Sequence, residues 1–174
     1  MFQFRLAETA DRERIFSLYQ AAIGTEGCTW DDTYPSREMM DDDLSRGGLF
    51  CAERDGILVG AISIDDDPYT DALDVWDEAL MPAAELARVV VSEECRGEGI
   101  APRMFREMHG ILRERGYRSA HYLVSPENQK ALHAYETLGY RFVGTADLYE
   151  HHWLCYEMRL DRQSLLVYDG SQTI

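Results

Sequence analysis

The chain reads as a single α+β domain, with a mixed, mostly antiparallel sheet flanked by helices. Three observations carry that reading. Segments of period-two alternation are joined by hairpin signals, and segments with an apolar period near 3.6 residues lie between them. One strand–helix–strand unit also occupies the middle of the chain, with no internal repeat or low-complexity linker around it. Hairpins pair antiparallel, whereas a strand–helix–strand unit pairs in parallel through a right-handed crossover. A length of 174 residues suits one core.

Phe2, Phe4 and Leu6 alternate with Gln3 and Arg5, as in a half-buried strand. Thr9 can cap a helix whose apolar face is Ile15, Phe16, Tyr19, Ala22 and Ile23, stopped near Gly24. The loop GTEGCTWDDTYP leads to Ser36, the N-cap of a helix carrying Met39, Met40 and Leu44 and ending at Gly47-Gly48. LFCAE and ILVGAISI form a hairpin about Arg54-Asp55-Gly56. The acidic, weakly patterned DDDPYTDALDVWDEALMPAA reads as a loop. A strand from about Glu85 to Val91 precedes a helix from about Ala101 to Arg115, whose apolar face is Met104, Phe105, Met108, Ile111 and Leu112. SAHYLV is the next strand, and Ser125 is placed to cap the helix PENQKALHAYETL, which Gly139 closes. YRFVG and HHWLCYEMRL read as a final antiparallel pair. The expected domain covers residues 1–160, and the tail, 161–174, has no assigned role.

The 32 acidic against 17 basic residues give a net charge of -15, which excludes binding nucleic acid through its phosphates. The acidity suits a cationic substrate, and serves solubility equally well. No apolar run approaches the roughly 20 residues a membrane span needs, and the N-terminus shows no secretory pattern. Cys28, Cys51, Cys95 and Cys155 are scattered without a CxxC pair, which points to reduced thiols and a cytoplasmic location. Cys95, beside Arg96, reads as a structural thiol. No metal is expected: adjacent His151 and His152 point to opposite faces of a strand, and His109 and His133 read as surface residues on separate helices.

The stretch VVVSEECRGEGIAPRMF, residues 89–105, ends a strand in a glycine-bearing turn and opens a helix. Such a junction leaves backbone N–H groups unpaired, and the helix dipole adds positive potential, so it binds an anion without basic side chains. It is neither a dinucleotide fingerprint nor a P-loop: Pro102 stands where the first needs a small residue, and no Gly-Lys-Ser/Thr follows Gly99. Taken locally, a plain turn with a helix cap accounts for it equally well.

With its surroundings, the motif resembles that of the GNAT superfamily of acetyl-CoA-dependent N-acetyltransferases. The signature Gln/Arg-x-x-Gly-x-Gly/Ala is met by Arg96, Gly97, Glu98, Gly99, Ile100 and Ala101. A second segment, NQKALHAYETLGY, supplies Asn128, Ala131, Tyr135, Gly139 and Tyr140 in the superfamily's order. Glu93 and Pro102 depart from common choices without removing a needed donor. The resemblance implies a splayed parallel strand pair at the cofactor site. It implies that the backbones of Val89 and Val91 hold the pantetheine arm, that the amides from Arg96 to Ala101 hold the pyrophosphate, and that Asn128 contacts acetyl-CoA.

An alkyl amine with a pKa near about 10.4 must lose a proton before it attacks a thioester. A backbone N–H, expected from Val91, would stabilise the oxyanion, and Tyr135 matches the superfamily tyrosine that protonates the leaving thiolate. Tyr135 also fits as a core aromatic. Glu85 is the candidate base if it faces the acceptor, and otherwise an exposed strand-end carboxylate. Trp30 and Tyr34, near Asp31 and Asp32, are candidates for an acceptor pocket or a packed loop. The expected activity is acetyl transfer to a primary amine of a small molecule, with no nucleic-acid or membrane partner and a homodimer left open. Transfer to a peptide or protein amine, and a non-catalytic acyl-CoA sensor, are the alternatives.

Overall fold

In the computed structural model residues 1–160 are described, so the C-terminal tail lies outside the described residues. The strands are β1 (Phe2–Leu6), β2 (Leu49–Arg54), β3 (Ile57–Asp65), β4 (Ala83–Val91), β5 (Ser119–Val124), β6 (Arg141–Leu148) and β7 (His151–Arg159). The helices are α1 (Arg12–Ala22), α2 (Arg37–Ser45), α3 (Pro68–Asp71), α4 (Ile100–Glu114) and α5 (Gln129–Glu136). The strands form one sheet in the order β1-β2-β3-β4-β5-β7-β6. Every neighbouring pair is antiparallel except β4–β5, the pair joined through α4. Among the described residues, no helix is long and apolar enough to cross a membrane.

Local chemistry explains most boundaries. Ser36 Oγ accepts from Met39 N at 3.2 Å and caps α2. Asp55 and Gly56 both take positive φ, 53° and 80°, as a tight turn between twisted strands requires. Thr9 heads a short 3-10 turn, and α1 begins after it at Arg12. Asn128, rather than Ser125, caps α5: its Oδ1 accepts from Ala131 N at 3.1 Å, while Ser125 Oγ accepts from Glu127 N one turn earlier. The acidic loop holds α3 and a 3-10 turn at Glu78–Leu80, capped by Asp67 and Asp77.

The sheet buries both faces. Ile15, Tyr19, Met40, Cys51 and Val90 pack on the α1–α2 side, whereas Ile62, Met104, Phe105, Tyr122 and Tyr156 pack on the α4 side. Cys95 is buried in the α4-side core. His109 also belongs to that interior and not to the surface. It is buried, with Nε2 2.8 Å from the Tyr140 hydroxyl, because its helix face is the one that Phe105 and Met108 turn to the sheet. Burial depresses its pKa to about 3.

One irregularity decides the rest. Ala61 and Ser63 of β3 pair with Val90 and Ala87 of β4, so Arg88 and Val89 together oppose Ile62. This β-bulge gives Arg88 a φ of 50°, unusual for a residue with a side chain. It also flips the strand's alternation. Before it Ala84 and Leu86 face α4; beyond it Val89 and Val91 do, and Val90 turns to α1.

Candidate active site

β4 and β5 are paired only where Ala83–Glu85 meets Ser119–His121. Beyond that point the strands part. Ser92 N donates to Val59 O at 2.7 Å, which makes Gly60 and Val91 a non-hydrogen-bonded pair. The N–H of Val91 therefore turns away from β3, toward the side from which β5 has withdrawn. Arg96 Nε reaches Val91 O from that side at 3.4 Å.

The turn after β4 ends in an α4 N-terminus with no side-chain cap. Gly97 and Gly99 take φ of +80° and +76°, and a Cβ at either would meet nothing within 4 Å. The first-turn N–H groups of α4 are thus unshielded, as an anion needs. Glu98 is ion-paired with Arg54, which ties the turn to the β2–β3 hairpin. Ile100 is buried and Ala101 half-buried. A recess lined by Arg14, Ser17, Val91, Ser92 and Arg96 opens beside this end of β4. Open glycines, an uncapped 15-residue helix and an outward N–H on Val91 fit an extended, pyrophosphate-bearing molecule such as acetyl-CoA.

The opposite face of β4 carries side chains. Glu85 is 7% exposed, and its Oε2 has no hydrogen-bond partner. Burial, then the carboxylates of Asp65 and Asp67, push its pKa up to about 9. Across the parallel register Glu85 meets His121, which in turn meets Glu157 on β7. His121 is buried with both ring nitrogens unpartnered, its ring stacked on Trp76 at 4.1 Å. Its Nε2 lies 3.6 Å from Asp71 Oδ1, and burial holds its pKa down at about 4. Glu157 Oε1 is likewise buried and unpartnered. Three adjacent strands therefore present a carboxyl, an imidazole and a carboxyl in one row.

Beside that row the bulge aims Arg88 at two carboxylates. Its Nε and Nη2 each donate to Asp43 at 2.8 Å, and Nη1 and Nη2 donate to Asp65 at 2.8 and 2.7 Å. Side-chain exposure is 3% for Arg88 and 1% for Asp43, and Arg46 Nη2, 2.6 Å from Asp43 Oδ1, supplies the second cation that balances the two carboxylates. The Tyr34 hydroxyl lies beside this guanidinium, and burial pushes its pKa up. Trp30 packs edge-on between Tyr19, at 5.5 Å, and Tyr34, at 6.4 Å. Asp31 is committed to its own turn, accepting from Thr33 N at 2.7 Å and Tyr34 N at 3.1 Å.

Tyr135 lies on the α4 side, its ring 4.5 Å from Phe105 and 4.6 Å from Tyr122. Burial raises its pKa, so the hydroxyl keeps its proton at neutral pH. Asn128 caps α5 and packs against Gly27, where a Cβ would come within 3.0 Å of its Cα. Glu85, Tyr34 and Arg88 converge in space, whereas Asn128 is engaged by its own helix. Sequence reasoning passed over His121, Glu157 and the Arg88 cluster. A single arginine inside the apolar run LARVVV was the available signal.

The model of the acetyltransferase (GNAT) family matches residues 13–140. No curated protein matches the chain. Among solved structures, a GNAT-family acetyltransferase from Streptococcus agalactiae superposes with a TM-score of 0.77 at 21% identity, over 92% of this chain and 96% of that one. The structure of yncA from Salmonella typhimurium with its cofactor acetyl-CoA gives 0.71 at 16% identity, over 93% and 95%. The ribosomal-protein-S18-alanine N-acetyltransferase of Escherichia coli gives 0.72 at 14% identity, over 100% and 99%. At these identities the likenesses speak for the fold.

Proposed function

The chain belongs to the acetyltransferase (GNAT) family, and on that premise we propose that it moves an acetyl group from acetyl-CoA to a primary amine of a small molecule by direct attack within a ternary complex. One observation carries this reading: the β4–β5 pair ends at Glu85, so a donor-bearing gap and a buried acid lie at either side of one strand. Acetyl-CoA supplies the activated acyl group. The amides from Arg96 to Ala101 hold its pyrophosphate, and the Val89 and Val91 backbones bind the pantetheine arm, with Asn128 flanking it. The Val91 N–H stabilises negative charge developing on the carbonyl oxygen.

Glu85 takes the proton of the acceptor nitrogen. With a pKa near 9 its carboxylate is a far stronger base than a solvated glutamate, and is matched to an ammonium near about 10.4. The N–C bond forms and the C–S bond breaks. Tyr135, which burial keeps protonated, gives its proton to the departing sulfur and is restored by the second proton that the nitrogen sheds as the amide forms, while Glu85 returns the first to water. Trp30 and Tyr34 wall the acceptor side. Release of free thiol from acetyl-CoA across a panel of small amines tests the reading. Acceptor-dependent release is expected; tight acetyl-CoA binding with no amine reacting would favour the sensor.

A further inference from the structure

Most of the orphaned atoms on the acceptor face call for donors: the two carboxyl oxygens and one of the two imidazole nitrogens. Glu85 Oε2, Glu157 Oε1 and the two nitrogens of His121 are buried without partners. A neutral imidazole offers one donor and one acceptor, and an ionised carboxylate offers acceptors alone. Leaving such groups unpaired costs on the order of 1–3 kcal/mol each, so they point to a bound group rich in N–H. An ammonium has three donors and no acceptor.

The surrounding charge agrees. Asp65, Asp67 and Asp71 all lie within electrostatic reach of Glu85. Arg88, the guanidinium beside them, is consumed by Asp43 and Asp65. It is therefore not free to receive the carboxylate or phosphinate of an amino-acid acceptor. Asp71 continues outward into a recess shared with Asp74, Trp76, Asp77 and Glu78, whose lining contains no lysine or arginine. His121 Nε2 lies 3.6 Å from Asp71 Oδ1, beyond hydrogen-bond range, so the buried row and the acidic recess adjoin there.

We infer that the acceptor is a di- or polyamine, with its reacting nitrogen at Glu85 and a second ammonium received by Asp71 and the recess beyond it. This rests on the acetyl-transfer reading above and narrows its substrate class. The juxtaposition of an unpartnered buried carboxyl, an unpartnered imidazole and a cation-free acidic recess is what carries it.

The experiment compares putrescine, spermidine, butylamine and phosphinothricin as acceptors, with thiol release as the readout. A second ammonium in a charge-assisted contact should raise kcat/KM about tenfold or more for putrescine over butylamine, whose tail is neutral. That advantage should shrink in 0.5 M salt and fall severalfold in Asp71→Asn. The salt series on the unaltered enzyme keeps the test sound if the variant does not fold. Equal use of butylamine, a salt-independent ratio, or a preference for phosphinothricin would overturn the polyamine assignment and leave acetyl transfer standing. No reaction with any of the four, with acetyl-CoA bound, would overturn both.

Discussion

The two sides of β4 are built by opposite means. Along the edge that β5 leaves open, the strand and its turn offer backbone donors, open glycines and an uncapped helix end. Toward α2 and the acidic loop it offers buried side chains, several with unpaired acceptors. The first arrangement can hold an anion in a chain of net charge -15, because amides and a helix dipole need no lysine. The second turns the acidity inward, where it suits the cation proposed above. One strand can do both because its bulge reverses the alternation between Glu85 and Val91.

Side-chain changes should therefore matter most on the acceptor side, and changes of backbone conformation on the cofactor side. The largest effect is expected from Arg88→Ala, which removes both Arg88 bonds to buried Asp43 and leaves it only Arg46 and Ser63 as partners. It should cost about 3–5 kcal/mol of stability, read from urea unfolding. A loss below 1 kcal/mol would show that the cluster is not closed to water. Tyr135→Phe should retain acetyl-CoA affinity and lower turnover about 10- to 100-fold; unchanged turnover would return Tyr135 to the role of a core ring. Gly99→Val forces a β-branched residue into φ +76° and should weaken acetyl-CoA binding about tenfold by calorimetry. Arg96→Ala should raise the acetyl-CoA Kd less than about threefold, because the proposed contact is assigned to its amide and not to its exposed side chain. A loss as large as that of Gly99→Val would break the contrast between the two sides.

The same contrast explains what could be read in advance. RGEGIA and NQKALHAYETLGY are local: the glycine turn, the start of α4 and the helix faces follow from neighbours in the chain and were legible from them, although the α5 cap fell to Asn128 and not to Ser125. The acceptor side depends on register between distant strands. Glu85, His121 and Glu157 are separated by dozens of residues and become neighbours only through β4–β5 and β5–β7 pairing. Arg88 owes its direction to a bulge that no short window reveals. His109 misleads for a related reason, since a polar residue on an amphipathic helix looks solvated until Tyr140 arrives from another element to bond it. Asn128 shows the reverse: its role as a helix cap is local, and the structure makes that role explicit.

The central claim is that Glu85, unpartnered and buried, accepts the acceptor's proton. It is tested by the pH dependence of kcat/KM for Glu85→Gln beside the unaltered enzyme, with putrescine as acceptor. Because the free enzyme's carboxyl titrates near 9, the active ionised form grows as pH rises, and the unaltered profile should climb and bend near pH 9. The variant must wait for the neutral amine. Its activity should be lower by about 100-fold or more at pH 8, with the climb continuing toward the amine's own pKa near about 10.4. Two superimposable profiles would contradict the account.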